Sequence, residues 1–428
     1  MLWFKLIYTL VLTMAVALPS AGCAPDGSAP LTIAGSALGA EGRLLQRQLA
    51  RFAEAHPGHA VELQATPDAA DERHQLYVQW LNAHVPQPDV LQLDIIWTAE
   101  FAAAGWILPL DRLEADVDAF FDAAIAANRW DGRLYALPWF VDVGTLYWRT
   151  DLLEAPPASL DALRSQVARA RDEHALRYGL VWQGARYEGL VTVFAEYLGA
   201  FGGRIMDGNG RIVVDSPRAV EALRQMRDDV RGPNPIVPAA ALAWREEQSR
   251  FAFQNGDAVV MRNWPYAAPL LRDDPGSRVV GRFAIAAMPA AAGGSPTATL
   301  GGSQLAINAR SQQPELALAL IAFLTAPEQM LERALTVGQY PARPALFDAP
   351  ELRSAFAVPP EDARRVIERA VPRPVTPVYA ELSELLQVGL HEVLTGQREP
   401  QPALDEAARA MRRVLDRSGL SPAGDAAR

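Results

Sequence analysis

The sequence predicts an α/β protein of two lobes, each built around its own sheet. The chain has 428 residues, too many for one ordinary domain. Residues 31–94 alternate strand, helix, strand, helix, strand, the order of a parallel sheet with right-handed crossovers. A second run of alternating elements begins near "GTLYWRTDLLE", and the C-terminal part of the chain reads as mostly helical.

The N-terminal stretch "MLWFKLIYTLVLTMAVALPSAGCAP" stands apart from that pattern. It has Lys5, an apolar run from Leu6 to Leu18, and small residues before Cys23. This is the layout of a secretory signal whose apolar core is short for a membrane span. Cys23 is the sole cysteine, so an intrachain disulfide and a cysteine metal cage are both excluded. Ser20-Ala21-Gly22-Cys23 resembles a bacterial lipoprotein box, with Ser20 where Leu is usual. The expectation is an exported protein, periplasmic or in the cell envelope, with Cys23 as its lipidation site.

The first strand is "LTIAGS". The helix "EGRLLQRQLARFAEAHPG" follows, with Leu44, Leu45, Leu49 and Phe52 at helical spacing and a stop at Pro57-Gly58. "AVELQA" is the second strand. "ADERHQLYVQWLNAHV" is the next helix, with Leu76, Trp80 and Leu81 on one side, and "DVLQLD" is the third strand. Ligands of such sheets bind beyond the carboxyl ends of the strands, which is where Asp94 falls. In the second region a helix is expected from Leu160 to Glu173, then the strand "YGLVWQG". Asp207-Gly208-Asn209-Gly210 reads as a hairpin turn between strands. Ser216 is the N-cap of the next helix, with Pro217 at its first position. "RFAFQNGDAVVM" reads as helix, glycine turn and strand, and "AAAGGSPTATLGGSQLAIN" as a loop entering a strand.

Composition and charge narrow the function. Half the residues are hydrophobic and 21% are charged, a globular balance. The net charge of −10 argues against nucleic acid or an anionic membrane surface as the main partner. Neither G-x-S-x-G nor H-E-x-x-H occurs, and Gly208 and Gly210 sit in the hairpin turn instead of a phosphate loop. His56 and His59 are split by Pro57-Gly58 in a helix-ending turn, so no metal site and no cofactor are expected. The informative pattern is polar and aromatic residues at strand and loop ends. Asp94 is followed by Trp97, Asp142 lies in "LPWFVDVGTLYW", and Tyr187 and Glu188 lie in "WQGARYEGL". Trp264 and Tyr266 flank Pro265, Gly301-Gly302 opens a strand, and Arg373 lies in "VPRPVTPVY". Any one of these rings has a plain alternative in core packing, and any one carboxylate in a solvated surface. Together they suit an uncharged, hydroxyl-rich ligand. Rings cover its C–H faces, carboxylates accept its hydroxyl protons, and an arginine donates in a fixed fork.

The chain resembles the extracellular solute-binding proteins of bacterial ABC sugar importers, and within them the trehalose/maltose-binding branch. The matching segments are "GAEGRLLQRQLARFAEAHPG", "DVLQLDIIWTAEFAAAGWILPLD", "YALPWFVDVGTLYWRTDLLE", "AFQNGDAVVMRNWPYA", "TLGGSQLAIN" and "RPVTPVYAELSELLQ", in family order. The resemblance implies a two-lobe periplasmic-binding-protein fold of type II with ligand in the cleft. It implies a first lobe of residues 24–141 plus 302–325 and a second of 142–301 plus 326–428. Glu41, Asp94 and Asp142 match the family's acidic ligand residues, Trp264 and Tyr266 its aromatic pair, Gly301 and Gly302 its backbone contact, and Arg373 its late arginine. Trp97 and Tyr187 are further candidates from the strand-end pattern. Ser303 departs from the pattern, because some trehalose and maltose binders carry Trp there; one wall of the cleft is then more open. The implied protein is a monomer that binds a disaccharide, trehalose or maltose, and delivers it to the permease subunits, with no bond made or broken. A polyol or glycoside such as a glycosylglycerol is the alternative ligand. An exported glycoside hydrolase using Asp94 and Asp142 is the alternative from another class.

Overall fold

The structure is a computed structural model that describes residues 29–422 apart from 38, 68, 112–115, 293 and 295. The signal-like stretch and Cys23 lie outside the described residues. β1 (Leu31–Gly35), β2 (Val61–Ala65) and β3 (Val90–Asp94) come first. β1 pairs in parallel with both others, and helices Gly39–Ala55 and Ala70–Asn82 make the crossovers. All five residues of β1 are buried, as a strand covered on both faces requires. The first helix turns Leu44, Leu45, Leu49 and Phe52 inward, the face its spacing predicts. The second turns Arg73, Tyr77 and Leu81 inward and leaves Leu76 and Trp80 half-buried, so its face differs from the expected one. The ring of Tyr77 wins that position because its hydroxyl reaches the Gln92 carbonyl at 3.1 Å.

A short hairpin of β4 (Arg129–Trp130) and β5 (Arg133–Leu134) precedes β6 (Ala136–Val143) and β7 (Thr145–Arg149). The remaining strands are β8 (Tyr178–Val181), β9 (Ala258–Asn263), β10 (Phe283–Ala286), β11 (Leu300–Ile307) and β12 (Tyr340–Pro341). They make a six-stranded sheet in the order β12-β6-β11-β3-β1-β2 and a four-stranded sheet in the order β10-β7-β9-β8. Each sheet has its own core. One gathers Leu31, Leu45, Phe52, Trp139, Leu305 and Leu320; the other gathers Leu146, Trp182, Phe194, Leu223, Val260 and Leu390. The two-lobe α/β fold expected from the sequence is therefore the observed one.

The chain passes between the sheets three times. Gly144 alone separates β6 from β7, and these strands belong to different sheets. The second passage runs from β10 through Thr299 into β11. The third runs from helix Pro360–Glu368, packed in the first core, to helix Tyr379–Leu394, packed in the second.

This placement moves the lobe limits. Residues 326–370 were expected in the second lobe, but most of them pack on the first, with Ala355 and Ala357 also reaching the second. Helix Pro327–Val337 lies against helix Gly39–Ala55, and β12 extends the first sheet beyond β6. An edge strand ending in proline needs no further neighbour, so the local sequence "GQYPARP" does not reveal which sheet it joins. Asp142 and Val143 pair with Gly301 and Leu300 inside the first sheet, so these four residues also belong there. Helix Leu160–Glu173 has its expected limits, and Ser216 caps helix Pro217–Arg231 as expected. The Asp207–Gly210 turn forms, with the Asp207 carboxylate accepting from the Asn209 and Arg211 amides at 2.8 and 2.9 Å. Its flanks make one antiparallel bridge, Met206 to Ile212, instead of two strands.

Candidate ligand-binding site

Three carboxylates gather on the first lobe. Asp94 is the last residue of β3, Glu41 lies in the first turn of helix Gly39–Ala55, and Asp142 is on β6. Arg333 Nη1 donates to Glu41 Oε1 at 3.3 Å, and Gln339 Nε2 donates to the same oxygen at 3.4 Å. The Arg333 guanidinium is 1% exposed and lies 3.7 Å from the Trp139 ring centroid. Burial pushes Arg333 down to about 10, against the pull of Glu41 and Asp142. Its Nε and Nη2 have no hydrogen-bond partner, and neither has Asp142 Oδ1. Burial, then the Glu41 and Asp94 charges, push Asp142 up to about 7, with Arg333 opposing. Asp142 thus lies beside two other carboxylates with one buried oxygen unmatched by the protein.

Asp94 connects the two lobes. Its Oδ1 accepts from the Ile96 amide at 3.2 Å and from Arg373 Nη2 at 3.3 Å. Arg373 Nη1 donates to Glu188 Oε1 at 2.7 Å, and Glu188 opens helix Glu188–Ala200 of the second lobe. Tyr379 also donates to Glu188 Oε1, at 2.7 Å, and the Ser383 hydroxyl donates to Oε2. Burial opposes the Arg373 charge, but Asp94 and Glu188 outweigh it and hold the group protonated. Burial pushes Glu188 up, against Arg373, Ser383 and Tyr379. Arg373 stands beside Asp94 as the sequence suggested, but both of its Nη atoms are engaged by protein carboxylates.

The second lobe supplies the rings. β9 is buried throughout and ends at Asn263, whose Oδ1 accepts from the Trp264 amide at 2.8 Å. Tyr147 Oη donates to the Trp264 carbonyl at 2.7 Å, and Tyr266 Oη donates to Glu247 at 2.8 Å. Backbone and hydroxyl of the Trp-Pro-Tyr turn are therefore tied down, while both rings keep partial exposure. Gly301 lies between this turn and the carboxylates. A methyl group on Gly301 would sit 3.2 Å from Trp264 Cζ3 and 3.6 Å from Asp142 Cβ. Gly302 has φ +122°, and a methyl there would fall 2.3 Å from the Phe140 carbonyl oxygen. Its carbonyl accepts from the Ile95 amide at 3.2 Å, which fixes the chain next to Asp94.

The structure thus brings Glu41, Asp94, Asp142, Gly301, Gly302, Trp264 and Arg373 together, with Tyr266 on the same turn as Trp264. Ser303 faces Asp94 across β11 and β3 and accepts from Gln92 Nε2 at 3.0 Å, so its hydroxyl is taken up by the sheet. Trp97 lies in an aromatic cluster, ring to ring with Phe101 at 6.3 Å and under the Arg73 guanidinium at 5.3 Å. Tyr187 is buried under Arg245, whose guanidinium is 5.1 Å from the ring. For Trp97 the packing explanation accounts for the contacts, whereas the Tyr187 hydroxyl is buried with no hydrogen-bond partner, as the Asp142 oxygen is. Three residues at the site were not singled out from the sequence: Arg333, Arg262 and Glu196. Arg262 left a signal, a charge near the end of an apolar strand; Arg333 and Glu196 sit in ordinary amphipathic or apolar helices. Among the described residues no cluster of His, Cys, Asp and Glu has the arrangement of a metal site.

The family model of the bacterial extracellular solute-binding proteins matches residues 36–331. A probable ABC transporter-binding protein of Deinococcus radiodurans is 34% identical over 373 residues, 84% of this chain and 88% of that one. The maltose-bound MalE3 of T. maritima is 38% identical, with a TM-score of 0.84 over 90% of this chain and 100% of that one. The GacH receptor of Streptomyces glaucescens, solved unliganded and with acarbose, shares the fold at 23% identity, with a TM-score of 0.80 over 90% of this chain and 98% of that one. This chain belongs to the bacterial extracellular solute-binding proteins.

Proposed function

We propose that the protein captures a neutral disaccharide, maltose or trehalose, between its lobes and delivers it to the membrane subunits of an ABC importer. The observation that carries this reading is the unmatched Asp142 oxygen, set beside Glu41 and Asp94 and separated from the Trp264 ring only by Gly301. Such a site offers acceptors for hydroxyls on one side and a flat ring for C–H faces on the other. Each guanidinium near the site is paired with a carboxylate: Arg333 with Glu41, Arg373 with Asp94 and Glu188, and Arg262 with Glu196, so little net positive charge is left over for a phosphate. The 38% identity to a maltose-bound protein supports the same ligand class.

Ligand that touches both lobes favours the closed arrangement, and hinge motion at the three passages gives the transition. The permease then reads the closed form, and the ligand leaves unchanged. Cys23, in the lipoprotein-box-like Ser20-Ala21-Gly22-Cys23, is the proposed tether to the membrane.

A thermal-shift screen tests the reading, because a ligand that binds only the folded form raises its apparent stability. Maltose or trehalose should raise Tm, and glucose 6-phosphate should not. A shift with the phosphate and with neither disaccharide overturns the proposal. A shift with a glycosylglycerol alone selects the alternative ligand. Release of free glucose from maltose on incubation would establish the hydrolase instead.

A further inference from the structure

We infer that Arg262, clamped by Glu196, is a positioning residue that fixes the Trp264 ring against the passage between the lobes and so sets ligand affinity without touching the ligand. The inference rests on Trp264 being a ligand contact.

Arg262 and Glu196 are both fully buried. Arg262 Nε donates to Glu196 Oε2 at 2.9 Å, and Nη2 bonds Glu196 Oε1. Nη1 donates to Gln183 Oε1 at 3.0 Å, and Gln183 Nε2 donates back to the Arg262 carbonyl at 3.1 Å. Each guanidinium nitrogen is therefore held, and the plane cannot turn. Its face lies 4.1 Å from the Trp264 ring centroid. A planar, forked cation held at its edges stacks on a ring as a fixed plate, which an ammonium on a flexible stem does not.

The pair is placed where the chain changes lobes. A methyl group on Gly144 would fall 1.7 Å from Glu196 Oε1 and 2.4 Å from Arg262 Nη2. The Gly144 amide donates to the Thr299 carbonyl at 3.3 Å, and the Thr299 hydroxyl donates to the Thr192 carbonyl at 3.0 Å. Thr192 lies one turn before Glu196 on the same helix. Gly144 of one passage thus lies against the ion pair, Thr299 of a second is tied to Gly144 and to the helix that carries Glu196, and the Arg262 end of the pair stacks on the ring. First-lobe Gly301 bounds the same ring at its Cζ3 edge. A buried ion pair is a poor stabiliser compared with apolar side chains of the same volume. Its retention here is explained by the orientation it gives to Trp264, which lowers the ordering cost of binding.

A double-mutant cycle tests this, read by calorimetry with maltose and with trehalose. Arg262→Lys keeps the charge and loses the plate. It should weaken binding by about tenfold in the parent and by less than about twofold when Trp264 is already leucine. Gln183→Met frees one guanidinium edge and leaves the ion pair, so it serves if Arg262→Lys does not fold. It should weaken binding by about threefold in the parent, again with little effect beside Trp264→Leu. Equal weakening in both backgrounds overturns the inference, because Arg262 then acts other than through the ring. If Trp264→Leu alone leaves the affinity unchanged, or the parent binds neither sugar, the reading of Trp264 fails and the inference falls with it.

Discussion

In the first lobe Glu41, Asp94 and Asp142 come from a helix start, a strand end and a crossing strand, with Arg333 and Arg373 brought behind two of them from late in the chain. In the second lobe Trp264 and Tyr266 come on a single turn after β9, with Arg262 behind the indole. Carboxylates stand on one side and rings on the other, so in the proposed function the sugar touches both lobes to gain both kinds of contact. Two aspartates, Asp229 buried and Asp142 half-buried, show the contrast again. Asp229, in the second core, accepts from Tyr197 Oη at 2.8 Å, Gln225 at 2.8 Å and Arg164 at 3.0 Å. Asp142, beside Glu41 and Asp94, has an oxygen with none. Burial pushes both up, Asp229 to about 6 and Asp142 to about 7, yet only the first is satisfied by the protein itself. The satisfied carboxylate is part of the fold, and the unsatisfied one is the acceptor that the proposed function gives to a sugar hydroxyl.

Taking one group from each lobe should have the largest effect. Asp94→Ala combined with Trp264→Ala should weaken disaccharide binding by more than about 100-fold, with the far-UV spectrum of the parent retained. Affinity kept within about tenfold would break the two-sided account. Next in size is Gly302→Ala. With φ +122° and a backbone oxygen 2.3 Å from the new methyl, it should cost about 2–4 kcal/mol in denaturant unfolding.

The aspartates should then diverge. Asp229→Ala strands the Tyr197 hydroxyl and should cost about 2–3 kcal/mol of stability. Asp142→Asn should do the opposite to the ligand-free protein. Folding raises Asp142 from 3.8 to about 7, so the native state holds the extra proton over that window. Its contribution to stability therefore falls as pH rises through the window. The asparagine variant should gain about 1–2 kcal/mol over the parent near pH 8, a gain that fades below about pH 4. Thermal melts at both pH values check the sign, and the same variant should bind sugar more weakly. The smallest effect is expected from Ser303→Ala, which frees Gln92 Nε2 and should cost about 1 kcal/mol of stability.

The same contrast separates what was legible in the sequence from what was not. Asp94 at the end of an apolar strand and Trp264 beside a proline after another are local patterns, so they were visible before any fold was known. The β-α-β-α-β order of residues 31–94 was visible for the same reason, since hydrophobic spacing is local. The groups behind the site were hidden because their partners are remote. Arg333 is 292 positions from Glu41, and Arg373 is 185 from Glu188. No periodicity links such pairs. Lobe membership failed likewise at residues 326–370, where helix Pro327–Val337 has an apolar face that suits either core until β12 joins β6. Trp97 shows the converse: a ring near a strand end carries the same local mark whether it faces a cleft or, as here, Phe101 and Arg73.

In the proposed function a neutral disaccharide bridges the carboxylates of one lobe and the rings of the other. Titration calorimetry of maltose and trehalose into the purified protein, with and without added salt, tests it most directly. Saturable one-to-one binding of at least one of the two is expected, nearly unchanged by salt, since the ligand carries no charge to screen. Absence of binding by both, or an affinity equal in the Asp94→Ala, Trp264→Ala double variant, would contradict it.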